Sequence, residues 1–104
     1  MERIEEMDRE YALDKVRSYK KEIAPMFSEM KIYLFGSYSK GCAKADSDID
    51  VAVIVPRLEG DWLDKSSALW LATLNVDTTI EPVLIEECHP SPLYEEVLRT
   101  GIAV

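Results

Sequence analysis

The sequence has few of the residues that build zinc sites and disulfide frameworks. Its 104 residues include one histidine, His89, and two cysteines, Cys42 and Cys88, in no CxxC pattern. Cysteine and histidine alone therefore cannot supply a four-ligand zinc site. Cys88 and His89 are adjacent, but neighbouring side chains often point apart, so the pair is more typical of a loop before Pro90 than of a metal or nucleophile pair. We expect both cysteines to be reduced, as in most cytoplasmic proteins.

Long hydrophobic runs are also missing. The longest uninterrupted apolar stretches have five residues, as in Val51 to Val55, whereas a membrane-spanning helix needs about 20. The N-terminus has no apolar segment behind a basic start, so we expect no signal peptide. These features, with 31% charged residues, predict a cytoplasmic protein that makes no contact with membranes.

Basic residues are scarce. Twelve lysines and arginines stand against twenty aspartates and glutamates, which gives a net charge of −8, and no basic stretch is longer than Lys20-Lys21. Direct nucleic-acid binding is not expected, because it depends on a basic face that neutralises phosphates. An acidic surface instead favours a basic protein partner or bound divalent cations.

The pattern of apolar residues predicts one α/β (α+β) domain over residues 1–104, since a chain of this length fits a single core. The predicted elements, in chain order, are a helix over 4–24, a strand over 31–35, a short helix from Ser37 to about Lys40, a strand over 49–55, a helix over 62–75, a strand over 79–86, a helix over 92–100 and a short strand within 101–104. This order favours a small mixed sheet of three or four strands flanked by helices. The strand over 49–55 is apolar on both sides and should be central, whereas Pro82 places the strand over 79–86 at an edge or gives it a local break.

The first helix shows its apolar side chains at roughly helical spacing, which predicts one buried face. The residues of that face are Ile4, Met7, Tyr11, Val16, Tyr19 and Ile23.

Gly36 and Ser37 end a predicted strand and open a helix. Ser37 is a good N-cap residue, and free backbone N–H groups at a helix start can bind phosphate oxygens. Glycine lets a phosphate approach the backbone closely, and the Ser37 hydroxyl can add a donor. A simple helix cap explains the same two residues.

Asp48 and Asp50 are two positions apart at the start of the central strand. Side chains at this spacing face the same way, and two such carboxylates repel each other unless a cation lies between them. Oxygen ligands of this kind suit Mg²⁺, although a solvated turn explains the pair as well. If the two strands are neighbours, the glycine–serine turn faces the carboxylates, and a nucleoside triphosphate with Mg²⁺ fits between them.

One pattern in this chain resembles the signature of the DNA polymerase β-like nucleotidyltransferase superfamily: Gly36-Ser37 is followed, after ten residues, by Asp48-x-Asp50. The short length and simple layout resemble its minimal nucleotidyltransferase subfamily, whose members are often encoded as antitoxins beside a HEPN-domain toxin. The resemblance implies two Mg²⁺ ions held by Asp48, Asp50 and a later carboxylate, and ATP as substrate. The best candidate for the third carboxylate is Glu81, and Asp77 is its rival.

The resemblance further implies that Gly36, Ser37 and Lys40 bind the triphosphate, and that AMP passes to a tyrosine of a cognate HEPN ribonuclease toxin. Family members frequently have Ala-Arg-Gly where this chain has Ser39-Lys40-Gly41, and lysine lacks the planar fork of arginine. Two other functions remain open: an antitoxin that acts by binding alone, and a transferase that modifies a small molecule such as an antibiotic. The sequence is also compatible with a homo- or hetero-oligomer.

Overall fold

The computed structural model describes the backbone of residues 2–43 and 47–104 and the side chains of 9–43 and 47–104. The elements are α1 (Glu2–Ile23), a 3₁₀ turn (Ala24–Met26), β1 (Lys31–Phe35), α2 (Ser37–Lys40), β2 (Ile49–Val55), α3 (Trp62–Ala72), a second 3₁₀ turn (Thr73–Asn75), β3 (Ile80–Glu86), α4 (Pro92–Thr100) and β4 (Ile102–Ala103). The predicted element order and mixed α/β fold are therefore confirmed. Within the described ranges, no helix combines the length and apolar composition needed to cross a bilayer.

Four strands form one mixed sheet in the order β3-β2-β1-β4. β1 is antiparallel to both β2 and β4, while β2 and β3 are parallel. β2 lies inside the sheet, as its two apolar faces predict. β3 lies at an edge of the sheet, where the missing N–H of Pro82 can face away from the ladder.

The sheet separates two apolar clusters. α1 and α3 pack on one face, and the buried side chains of that cluster include Val16, Tyr19, Ile23, Leu34, Val51, Val53, Leu69, Ile80 and Leu84. The shorter α4 packs on the other face, in a smaller cluster of Phe35, Ala52, Ile54, Ile85 and Val97. Asp50 and Glu81 belong by strand alternation to this second face.

The buried face of α1 differs in part from the prediction. Val16, Tyr19 and Ile23 are fully buried, as predicted, and Ala12 completes their stripe at steps of four and three. Tyr11 was predicted on this face, but it is 49% exposed, because position 12 continues the helical period and position 11 does not. Ile4 and Met7 lie outside the residues whose side chains are described.

Tyr19 provides a test of how α1 is held to α3. Its buried hydroxyl donates a 2.6 Å hydrogen bond to the Leu69 carbonyl, and burial raises the pKa of the phenol far above its usual range, so it stays a neutral donor. Tyr19→Phe is expected to lower the free energy of unfolding by about 1–3 kcal/mol, because a buried acceptor loses its donor. Urea unfolding measures this loss. Tyr11→Phe is the control on the same helix and is expected to change stability by less than about 0.5 kcal/mol; equal losses in both variants would contradict the assignment.

Candidate active site

The glycine–serine turn and the aspartates meet where β1 ends and β2 begins. Phe35, the last residue of β1, is the register partner of Asp50, so Gly36 follows directly beside the Asp50 side chain. A Cβ built on Gly36 would come within 3.0 Å of the Asp50 carboxyl carbon and would overlap Oδ2. Only a glycine allows this contact between a backbone and a carboxylate. The two halves of the predicted site are therefore adjacent in space.

Gly36 also has a backbone conformation that other residues rarely adopt. Its φ is 76° and its ψ is −148°, a region populated essentially by glycine alone. Gly36 occupies the N-cap position of α2, and Ser37 is the first helical residue. The predicted N-cap role of Ser37 is thus wrong by one position, because the sharp turn needs glycine at the cap. The Ser37 backbone N–H belongs to the first turn of α2, where such groups lack helical partners.

Three acidic side chains come together at the amino ends of β2 and β3. Asp48 and Asp50 are two residues apart, and Glu81 is the register partner of Asp50 on the parallel neighbour strand. Asp50 is half-buried, whereas Asp48 and Glu81 are exposed. The three carboxylates therefore lie at one end of the sheet, and their role as metal ligands stays a prediction.

The carboxylates perturb one another's protonation. Burial, together with the charge of Asp48, raises the pKa of Asp50, against the opposing effect of a hydrogen bond with Glu81. The pKa of Glu81 is raised by desolvation first, then by the charge of Asp48 and by hydrogen bonding to Asp48 and Asp50. Such a cluster of like charges is stabilised by a proton or a cation between the carboxylates. An all-oxygen acidic donor set of this kind fits Mg²⁺ in the chemistry of its ligands.

Asp77, the rival third carboxylate, has different neighbours. Its side chain accepts hydrogen bonds from the Thr79 backbone N–H at 2.9 Å and the Tyr11 hydroxyl at 3.3 Å, and it pairs with Lys15 at 3.5 Å. The hydrogen bonds from Thr79 are the main reason that the pKa of Asp77 is lowered. Asp77 therefore links the approach to β3 with α1, and Glu81 remains the better candidate for the acidic cluster.

Two residues not singled out as site residues hold α2 in place. Arg9 of α1 donates to the backbone carbonyls of Tyr38 at 3.4 Å and Ser39 at 3.2 Å. The Ser39 hydroxyl donates to the Gly36 carbonyl at 3.0 Å. In the sequence, Ser39 stands out only as a departure from the family pattern, and this hydrogen bond gives it a role in the turn. Lys40 is exposed at the end of α2, and its phosphate contact stays a prediction.

Residues 13–97 match the family model described as nucleotidyltransferase domain. The chain belongs to this nucleotidyltransferase family. The matched range includes the glycine–serine turn and all three carboxylates, so the acidic cluster lies inside the family domain.

Two further comparisons agree with the family. A Methanocaldococcus jannaschii protein, described by inference as a protein adenylyltransferase, is 26% identical over 94 residues, which is 86% of this chain and 94% of the relative. The crystal structure of a Sulfolobus solfataricus protein, described by inference as a nucleotidyltransferase, matches with a TM-score of 0.68 and 14% identity, over 95% of this chain and 84% of that one. At that identity the second comparison shows a common fold.

Proposed function

We propose that this nucleotidyltransferase-family chain transfers AMP from ATP to a hydroxyl group of a protein, specifically a tyrosine of a HEPN-type toxin partner. The observation that carries the proposal is the junction where the Asp50 carboxylate lies against the Gly36 turn. A triphosphate bound at the turn would have its phosphates beside the acidic cluster. Asp48, Asp50 and Glu81 would hold Mg²⁺, with two ions as the resemblance implies.

Bound Mg²⁺ would supply charge neutralisation at the phosphates and lower the pKa of the attacking hydroxyl. The chain's own residues account for the remaining chemistry. The backbone of Gly36 lets phosphate oxygens approach closely, and the Ser37 N–H and hydroxyl offer donors to them. Glu81 would either complete the metal site or, where it does not coordinate Mg²⁺, accept the proton of the acceptor hydroxyl. The hydroxyl oxygen then bonds to the α-phosphorus, and pyrophosphate leaves.

Three observations support a protein acceptor. The Methanocaldococcus relative is described by inference as a protein adenylyltransferase and matches over almost its whole length. The net charge of −8 is complementary to a basic, RNA-cutting partner. In addition, α3 and the turn after it expose large apolar side chains, an arrangement typical of interaction surfaces; these residues are Trp62, Leu63, Trp70, Leu71 and Leu74.

The proposal is tested with ATP labelled at the α-phosphate, Mg²⁺, and the product of the adjacent gene, which the proposal expects to be a helical HEPN protein. We expect label on that partner with the wild-type chain and none with Asp50→Asn. Asp14→Asn is a matched control, because Asp14 is an exposed aspartate on α1, outside the acidic cluster and outside the apolar surface of α3, and it should leave labelling unchanged. A partner that is inhibited without becoming labelled would instead indicate an antitoxin that acts by binding.

A further inference from the structure

A second group of potential metal ligands lies at the far end of β3. The ligand atoms of Glu86, Cys88 and His89 all lie within 4.8 Å of one another. Cys88 Sγ is 3.2 Å from His89 Nδ1 and 3.7 Å from Glu86 Oε2. The expectation that Cys88 and His89 point apart is therefore wrong. That expectation assumed that neighbouring side chains alternate as they do in a strand, but Cys88 and His89 lie in a turn.

The turn explains why the three side chains converge. The His89 backbone N–H donates to the Glu86 carbonyl at 3.3 Å, which closes a turn over residues 86–89. The turn is fixed to the rest of the sheet, since the Cys88 N–H donates to the Pro56 carbonyl at 3.2 Å. Glu86 is held as well, because its Oε2 accepts the Leu58 N–H at 2.9 Å. Backbone hydrogen bonds thus fix the positions of the three residues, and the contact with Leu58 fixes the Glu86 side chain.

We propose that Glu86, Cys88 and His89 form a surface site for a borderline divalent transition-metal ion such as Zn²⁺, with water as the fourth ligand. In a tetrahedral zinc site, ligand bonds of about 2.0–2.3 Å place neighbouring donor atoms roughly 3.3–3.6 Å apart. The observed separations of 3.2 and 3.7 Å bracket that range. Thiolate and imidazole favour Zn²⁺ over Mg²⁺, which prefers oxygen ligands. Binding would release the thiol proton of Cys88.

The proposed site is separate from the acidic cluster and does not depend on the proposed transferase function. Glu81 is paired with Asp50 at the amino ends of the parallel strands, whereas Glu86 is paired with Val55 five residues later. Five steps along a strand span about 16 Å. A metal ion at one end is therefore not shared with the other.

The test is a titration of the reduced protein with Co²⁺, which reports thiolate coordination through a charge-transfer absorption band. We expect a saturable band at one ion per chain that Zn²⁺ removes and excess Mg²⁺ does not. Cys88→Ser should abolish the band, and Cys42→Ser is the matched control, since both cysteines are free and exposed. His89→Gln and Glu86→Gln should each weaken Co²⁺ binding at least tenfold, because the first removes the imidazole ligand and the second removes the negative charge of the carboxylate.

Glu86→Gln keeps an oxygen that can accept the Leu58 N–H, so its effect reports the lost charge and not a disrupted turn. Absence of a charge-transfer band in the wild type would overturn the site. A band that survives Cys88→Ser, or one that disappears in Cys42→Ser, would also overturn it. A stoichiometry of one ion per two chains would show a site shared between copies and would contradict the proposal.

Discussion

Asp50→Asn is expected to abolish nucleotidyl transfer while raising the stability of the metal-free protein. The loss of transfer should be at least about 100-fold, because a metal ion held by carboxylates supplies several kcal/mol of charge stabilisation in a transition state. The gain in stability follows from the raised pKa values of Asp50 and Glu81, which show that the folded state disfavours their ionised forms. An asparagine amide can donate a hydrogen bond to Glu81 where the carboxylate repels it. We expect a gain of less than about 1 kcal/mol, because Glu81 is exposed and Asp50 is only half-buried, so that solvent screens the repulsion between them.

The pH dependence of stability gives a second measurement of the same effect. A carboxyl whose pKa is raised on folding binds its proton more tightly in the folded state, so stability rises as the pH falls. For Glu81 and Asp50, this gain should develop below neutral pH and be complete below their unfolded values of 4.5 and 3.8. Asp77 contributes to the pH dependence of stability in the opposite direction. Its lowered pKa stabilises the folded state, and this stabilisation is lost only as the pH falls below 3.8. Asp50→Asn should therefore flatten the rise in stability on mild acidification.

In the wild type, added Mg²⁺ should oppose the rise in folding stability that occurs as the pH falls. At the proposed metal site, protons and Mg²⁺ would compete for the same carboxylates, so the stabilisation by added Mg²⁺ should be largest near neutral pH and decrease as the pH falls. Thermal unfolding with and without Mg²⁺, at several pH values, measures this effect. Asp14→Asn should behave like the wild type. An Asp50→Asn variant that retains nucleotidyl transfer at the wild-type rate would rule out a role for this carboxylate in the reaction.

The sequence predicts the fold well where a feature depends on local pattern. The apolar side chains on both faces of β2 predict a strand inside the sheet, which is confirmed. Pro82 predicts either an edge position or a local break for β3, and β3 lies at an edge. The expectation that Asp48 and Asp50 face the same way follows from their spacing of two at the start of β2. Glu81 could be placed on a strand face from its alternation with Val83, but its pairing with Asp50 depends on which strands are neighbours.

Contacts between residues that are far apart in the chain could not be predicted from the sequence. Arg9 holds the carbonyls of α2 from 29 and 30 residues away, and nothing in the local pattern around Arg9 marks it. The turn over residues 86–89 is held by hydrogen bonds to Pro56 and Leu58, in the segment after β2. The local alternation of side chains does not predict these contacts. The hydrogen bond from Ser39 to Gly36 was in principle accessible, because serine often bonds a carbonyl three residues earlier in a helical turn.

Gly36→Ala should also abolish transfer, but with the opposite effect on stability. The new methyl group would overlap the Asp50 carboxylate, and alanine at a φ of 76° and a ψ of −148° is strained. We expect a loss of about 1–3 kcal/mol in the free energy of unfolding, which is typical for a residue in a disfavoured backbone region. The carboxylate or the turn must move, so nucleotide binding and transfer should both fall. Thermal unfolding and ATP binding measure the two effects separately.

Gly60→Ala separates backbone strain from the contact with Asp50. Gly60 also has a positive φ, 95°, but a Cβ there would meet only the Lys65 Cε, at 3.9 Å. This variant should lose stability through strain alone and keep transfer at the wild-type rate under conditions where it is folded. If Gly36→Ala retains transfer as Gly60→Ala does, the close contact of Gly36 with Asp50 is not required for catalysis. If transfer falls only in Gly36→Ala, the requirement lies in the space between the turn and the carboxylate, where the triphosphate and its metal ions are proposed to bind.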